Sequence, residues 1–236
     1  MGWWRWFRPD LPEELARRVE RWDALPAPDP NIPLDRAQFA VIDVETTGLV
    51  PTRDAMLSIG AVVLRDRTLK LGESFHCYIA PERRGSRENI LVHGIAPSQQ
   101  AQGVPPTTCL IDFLEFCGRE PLVAFHAPFD RAFLARAVRR RLGVRLRNPF
   151  LDVAWLLPAL FPDALGPRAG LDDWAQHFHI HIPRRHTADA DALATGELTL
   201  VALAEARRRR VPNVRALAAL ARRTAQLAPP GFSGLV

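Results

Sequence analysis

Lysine is all but missing from this chain of 236 residues: Lys70 is the only one, and arginine supplies nearly all the positive charge. Arginine's planar fork suits phosphate groups, and a net charge of +5 favours association with nucleic acid. Abundant Ala, Arg and Pro also follow from a GC-rich genome, so charge alone assigns nothing. Cysteine is scarce as well. Cys77, Cys109 and Cys117 show neither paired nor metal-ligand spacing, which excludes a disulfide framework and points to reduced core thiols in a cytoplasmic protein. No apolar run approaches the roughly 20 residues of a membrane-spanning helix. The opening Met1-Gly2-Trp3-Trp4-Arg5-Trp6-Phe7-Arg8 lacks the apolar stretch and cleavage site of a signal peptide, and Trp6 breaks the myristoylation pattern. What is present is ordinary for a globular chain: 47% hydrophobic and 24% charged residues, with ample length to bury a core.

Three regions are expected. Residues 1–35 hold an aromatic, basic cluster, a short helix and a stiff linker carrying Pro26, Pro28, Pro30 and Pro33. Asp10 and Glu13 form a candidate capping box for that helix, and Leu11, Leu15, Val19 and Trp22 give it one apolar face. This face is expected to pack on the chain's own domain. Residues 36–206 read as one α/β domain, with strands at 39–45, 57–65 and 69–79 joined by a polar turn at 65–68. A helix near 107–118, a strand at 122–125, a helix from Pro128 to about Leu142 and a strand near 149–152 follow. Further helices are expected near 153–160, 171–178 and 188–208. Residues 207–236 begin with Arg207-Arg208-Arg209-Arg210 and read as a basic C-terminal helix and tail.

The chemistry centres on acids. In Phe39-Ala40-Val41-Ile42-Asp43-Val44-Glu45 a buried strand carries two carboxylates two residues apart, hence on the same face. Such a pair repels strongly in a partly desolvated site, and a divalent cation keeps both ionised; oxygen-only ligation favours magnesium or manganese. Asp130 follows the fourth strand in the first turn of a helix, where the helix dipole favours negative charge. Asp191 lies in the first turn of the long helix, five residues after His186. Four carboxylates balance two divalent ions, and a loop histidine, with a reference pKa of ~6.5, suits deprotonation of water. Taken singly, each acid is more often a helix cap or a solvated side chain.

Four segments occur in order: Asp43-Val44-Glu45-Thr46-Thr47-Gly48-Leu49, Val92-His93-Gly94-Ile95, Ala127-Pro128-Phe129-Asp130 and His186-Thr187-Ala188-Asp189-Ala190-Asp191-Ala192. Together they resemble the motifs of the DnaQ-like 3′→5′ exonucleases, the histidine (DEDDh) branch of the DEDD superfamily, which includes the epsilon subunit of bacterial DNA polymerase III. The resemblance covers roughly residues 38–205 and is specific as a joint pattern. It implies a ribonuclease H-like fold, a mixed five-stranded sheet flanked by helices. It implies two Mg2+ or Mn2+ ions held by Asp43, Glu45, Asp130 and Asp191, with His186 as general base, and release of 5′-mononucleotides from 3′ ends of single-stranded nucleic acid, DNA before RNA. The alternatives are an RNA-end-trimming or oligoribonuclease-type enzyme, or a noncatalytic polymerase-associated module. Retention of all four acids and His186 argues against the last. The sister branch has tyrosine as base, and the sole tyrosine here, Tyr78, lies in a strand.

By the same resemblance, Thr46, Thr47, Gly48 and Leu49 contact the terminal nucleotide, with His93 and Ile95 near the 3′ end. Expected partners are single-stranded DNA or RNA 3′ ends, and a DNA polymerase or other protein through the termini, with no integral membrane association. One departure stands out: Phe125-His126 replaces the usual His-Asn ahead of the second motif, and His126 is expected to satisfy a backbone carbonyl more than to touch substrate. His177, His179 and His181 alternate as zinc ligands on a strand do, but lack an acidic or thiol partner. Asp189 is the competing choice to Asp191, and the motif spacing favours Asp191. Asp152 is expected to support structure and not to bind metal.

Overall fold

The phase of the β1 strand (Phe39–Thr46) organises the molecule. Its even residues Ala40, Ile42 and Val44 enter one apolar cluster, while Phe39 and Val41 enter another on the opposite face, as alternation along a strand requires. The computed structural model describes residues 9–80, 102–182 and 185–228. β2 (Met56–Arg65) and β3 (Thr68–Tyr78) continue the chain as an antiparallel meander. The turn between them places Asp66 and Arg67 at φ +53° and +59°, the left-handed pair that a two-residue hairpin demands. β4 (Leu122–Ala124) and β5 (Phe150–Asp152) add in parallel on the other side of β1. The sheet order is β3-β2-β1-β4-β5, the mixed five-stranded sheet that was expected.

Helices cover both faces. On the side of Ala40 and Ile42 lie α1 (Glu13–Asp23), α2 (Pro106–Cys117) and α3 (Ala127–Leu142). On the side of Phe39 and Val41 lie α4 (Val153–Leu160), α5 (Leu171–His177), α6 (Ala188–Arg208) and α7 (Val214–Leu227). Among the described residues no helix is long and apolar enough to cross a membrane.

The first helix differs from expectation at its start. It opens after Pro12, with no side-chain cap from Asp10, because the residue before a proline is driven to extended backbone. Its apolar face is the one expected, and it packs on α2. Trp22 is 1% exposed, its indole N–H donates to the Gly118 carbonyl at 2.9 Å, and the Arg119 guanidinium stacks 3.7 Å from its ring centroid. Arg18 adds ion pairs to Asp112 at 2.6 Å and to Glu115. The proline-rich segment that follows is also pinned. The Arg215 N–H donates to the Pro30 carbonyl at 2.8 Å, Pro33 bridges to Asn213, and Asn213 caps α7 by accepting from the Ala216 N–H at 2.9 Å.

Candidate active site

Asp43 and Glu45 share the parity of Phe39 and Val41 and so project from the sheet face that α6 covers. The approach of α6 is set by a glycine. Gly60, opposite Asp43 in the β1–β2 register, packs so tightly that an added Cβ would lie 2.2 Å from the Ala188 carbonyl carbon and oxygen. The first turn of α6 therefore rests directly on the β2 backbone, and Asp191, in that same turn, faces the two strand acids. One carboxylate oxygen each from Asp43, Glu45 and Asp191 lies within 4.8 Å of the others. Asp191 is 5% exposed and its Oδ1 is buried without a hydrogen-bond partner. Its Oδ2 accepts from the His186 N–H at 3.3 Å and faces the Arg185 guanidinium. Asp189 points to solvent.

Asp130 arrives from the opposite face, in the first turn of α3, and is 2% exposed. Its Oδ1 accepts from the Val44 N–H at 3.1 Å, so the carboxylate is fastened to the β1 backbone beside the other three acids and stands outside the 4.8 Å set. His186 is exposed and takes a left-handed backbone, φ +61°. His126 is left-handed too, φ +63°, as the N-cap of α3. Asn, Asp and His tolerate that region best, which explains why a histidine stands in for the usual asparagine. The His126 N–H donates to Asp152 Oδ1 at 3.1 Å, and the same oxygen accepts from the Ala154 N–H at 3.1 Å. Asp152 thus ties the starts of α3 and α4 to the end of β5. The His126 ring meets the edge of Phe125 at 4.9 Å.

The loop after β1 is braced internally. Thr46 Oγ1 donates to the Gly48 carbonyl at 2.7 Å, the Thr47 N–H donates to the Ala55 carbonyl at 2.9 Å, and Asp54 Oδ2 accepts from the Val50 N–H at 2.7 Å. Leu49 is left 48% exposed at its tip. His93 and Ile95 lie outside the described residues. The histidines at 177, 179 and 181 form no metal-binding group among the described residues.

The electrostatics match crowded, buried acids. Burial, then the charges of Asp130, Asp191 and Glu45, push the Asp43 carboxyl well up. Burial and the neighbouring Asp191 push Glu45 up to about 7. Asp130 and Asp191 are raised chiefly by burial, and Asp152 is raised by burial to about 6. Hard oxygen donors this close together, with one buried oxygen unpartnered, fit a divalent cation. Two residues escaped the sequence reading: Gly60, whose role is visible only against α6, and Arg185, whose sole signal was its position next to His186.

The exonuclease family RNase_T matches residues 40–199, more than half of the chain. A DNA polymerase III subunit epsilon-like protein of Rhodobacter capsulatus is 36% identical over 171 residues, which are 71% of this chain and 24% of that protein. The DNA polymerase III PolC-type of Caldanaerobacter subterraneus subsp. tengcongensis is 32% identical over 161 residues, 68% of this chain and 11% of that protein. The chain therefore spans a quarter or less of these curated relatives. In fold it is similar to E. coli exonuclease I in complex with a dT13 oligonucleotide, with a TM-score of 0.62 and 18% identity over 74% of this chain and 42% of that one. Exonuclease X in complex with 5′ overhanging duplex DNA gives a TM-score of 0.58 and 18% identity over 78% and 99%. The ribonuclease H-like sheet and the match over residues 40–199 carry one conclusion: the chain belongs to the RNase_T family of DnaQ-like exonucleases.

Proposed function

We propose that the chain is a metal-dependent 3′→5′ exonuclease that hydrolyses phosphodiester bonds at single-stranded 3′ ends, DNA in preference to RNA, and releases 5′-mononucleotides. The observation that carries this reading is the convergence of Asp43, Glu45 and Asp191 within 4.8 Å in a member of an exonuclease family. The donor set fits two Mg2+ or Mn2+ ions: all ligands are carboxylate oxygens, and the buried Asp191 Oδ1 has no other partner. Asp43, Glu45 and Asp191 hold the cations, and Asp130, fastened to the Val44 N–H, completes the set. When bound, the ions supply Lewis-acid stabilisation of the attacking and leaving oxygens.

The chain's own residues do the rest. His186, exposed on its loop and tied through its N–H to Asp191, takes the proton from the attacking water. The braced turn at Thr46, Thr47 and Gly48 offers backbone groups to the terminal nucleotide, and the protruding Leu49 wedges against its base. The arginine-rich surface draws the polyanion in. A single-stranded substrate is favoured by the oligonucleotide bound to exonuclease I. Association with a DNA polymerase is favoured by the names of the relatives.

A labelled single-stranded DNA oligonucleotide should shorten from its 3′ end in Mg2+ or Mn2+, stop with chelator, and outpace an RNA of the same sequence. Asp43→Ala and Asp191→Ala should each abolish cleavage in a folded chain, and His186→Ala should lower kcat by about 10²–10⁴. Wild-type cleavage by the Asp43→Ala, Asp191→Ala double variant would sink the assignment.

A further inference from the structure

Arg185 reaches into the carboxylate cluster without belonging to it. Its Nε donates to Asp172 Oδ1 at 2.5 Å, in the first turn of α5, while its Nη1 faces Asp191 Oδ2. The side chain of Asp172 is 67% exposed and that of Asp191 8%, so the guanidinium runs from solvent into the interior. At the inner end Nη1 is buried and makes no well-formed hydrogen bond, which leaves charge as the substance of that contact. Arg185 offsets the mutual repulsion of Asp43, Glu45 and Asp191 alike. Among the described residues no other lysine or arginine forms an ion pair with these three.

We propose that Arg185 is a tethered counter-ion of the cluster, neutralising Asp191 until a divalent cation binds and then withdrawing to Asp172. This rests on reading the three carboxylates as a cation site. A guanidinium on Asp191 Oδ2 and a divalent ion on the open Oδ1 of the same buried carboxylate repel one another strongly. The arginine needs somewhere to go, and Asp172 already holds its Nε. The outer contact is solvated and persists when the inner one is released, so the cost of breaking the buried pair falls on cation binding. The cluster is thus never left as three buried, unbalanced charges, and the ion must displace a cation already in place.

Loss of the arginine and loss of its outer partner Asp172 then shift metal affinity in opposite directions, a pattern that a merely structural role does not produce. Calorimetric titration of the metal-stripped full chain with Mn2+, without nucleic acid, reads it directly. Arg185→Gln should bind Mn2+ more tightly, on the order of tenfold, because no cation has to be displaced. Asp172→Asn should bind it about threefold more weakly, because the arginine loses its place of retreat and clings to Asp191. Equal or weaker binding by Arg185→Gln, with an unchanged circular dichroism spectrum, would overturn the proposal. So would tighter binding by Asp172→Asn, a solvent-side change that stands even if Arg185→Gln does not fold. No Mn2+ binding by wild type or either variant would overturn the cation reading of the cluster itself, and the inference with it.

Discussion

Gly60 shows how one missing side chain sets the position of another. An added Cβ would meet the Ala188 carbonyl at 2.2 Å, so Gly60→Ala must lift the first turn of α6 and carry Asp191 away from Asp43 and Glu45. The expected cost is about 2 kcal/mol in urea unfolding, together with weaker Mn2+ binding; unchanged affinity would mean that α6 can move without its carboxylate. Asp152 makes a pH-dependent contribution. Burial raises its carboxyl from 3.8 to about 6, so the folded chain holds that proton more tightly than the unfolded one. That favourable contribution is complete below the unfolded value and is lost as pH climbs through 6, a fall of about 3 kcal/mol. Asp152→Asn keeps an oxygen for the His126 and Ala154 N–H groups and cannot ionise. Its urea stability in chelator should flatten between about pH 4 and pH 7 relative to wild type, and an identical slope would refute this account. Gly60 was not legible as a determinant of the site, since a glycine's purpose lies in what crosses it; the supporting role of Asp152 was expected, but not its raised pKa, which depends on what surrounds it.

Elements were more readable than their ends. The apolar spacing of Leu11, Leu15, Val19 and Trp22 announced a one-sided helix, and that side is the one buried against α2. The start was misread because Asp10 and Glu13 match a capping box on paper, whereas Pro12 moves the helix past it. Trp22→Ala removes a fully buried indole, its bond to the Gly118 carbonyl and the platform under Arg119. A loss of about 3–5 kcal/mol is expected from chemical denaturation. A loss under about 1 kcal/mol would mean that α1 contributes little to the folded state. The strands of the meander were legible because turn residues and alternation agree, while the short β4 and β5 owe their assignment to their place beside β1 more than to any pattern of their own.

Across the whole molecule, the acids come from β1, α3 and α6, and no local pattern in the sequence shows that they meet. The joint motif pattern supplied that expectation, and the contact of α6 with β2 is its physical basis. Because the cluster concentrates negative charge, an ion that binds only the folded chain must stabilise it. Mn2+ at about a hundredfold excess over its Kd should add about 2.7 kcal/mol, a rise in Tm of about 5–10 °C for a chain of this size. Chelator should reverse it, and Asp191→Asn should abolish it; a wild-type shift in that variant would place the ion elsewhere.

The packing of α1 has a practical corollary. It lies on the side of the sheet away from Asp43 and Glu45, so the chain has a grip and a working edge separated by the thickness of a β layer. Anything joined ahead of α1 would sit behind the sheet and leave the side of Asp43, Glu45 and Asp191 open.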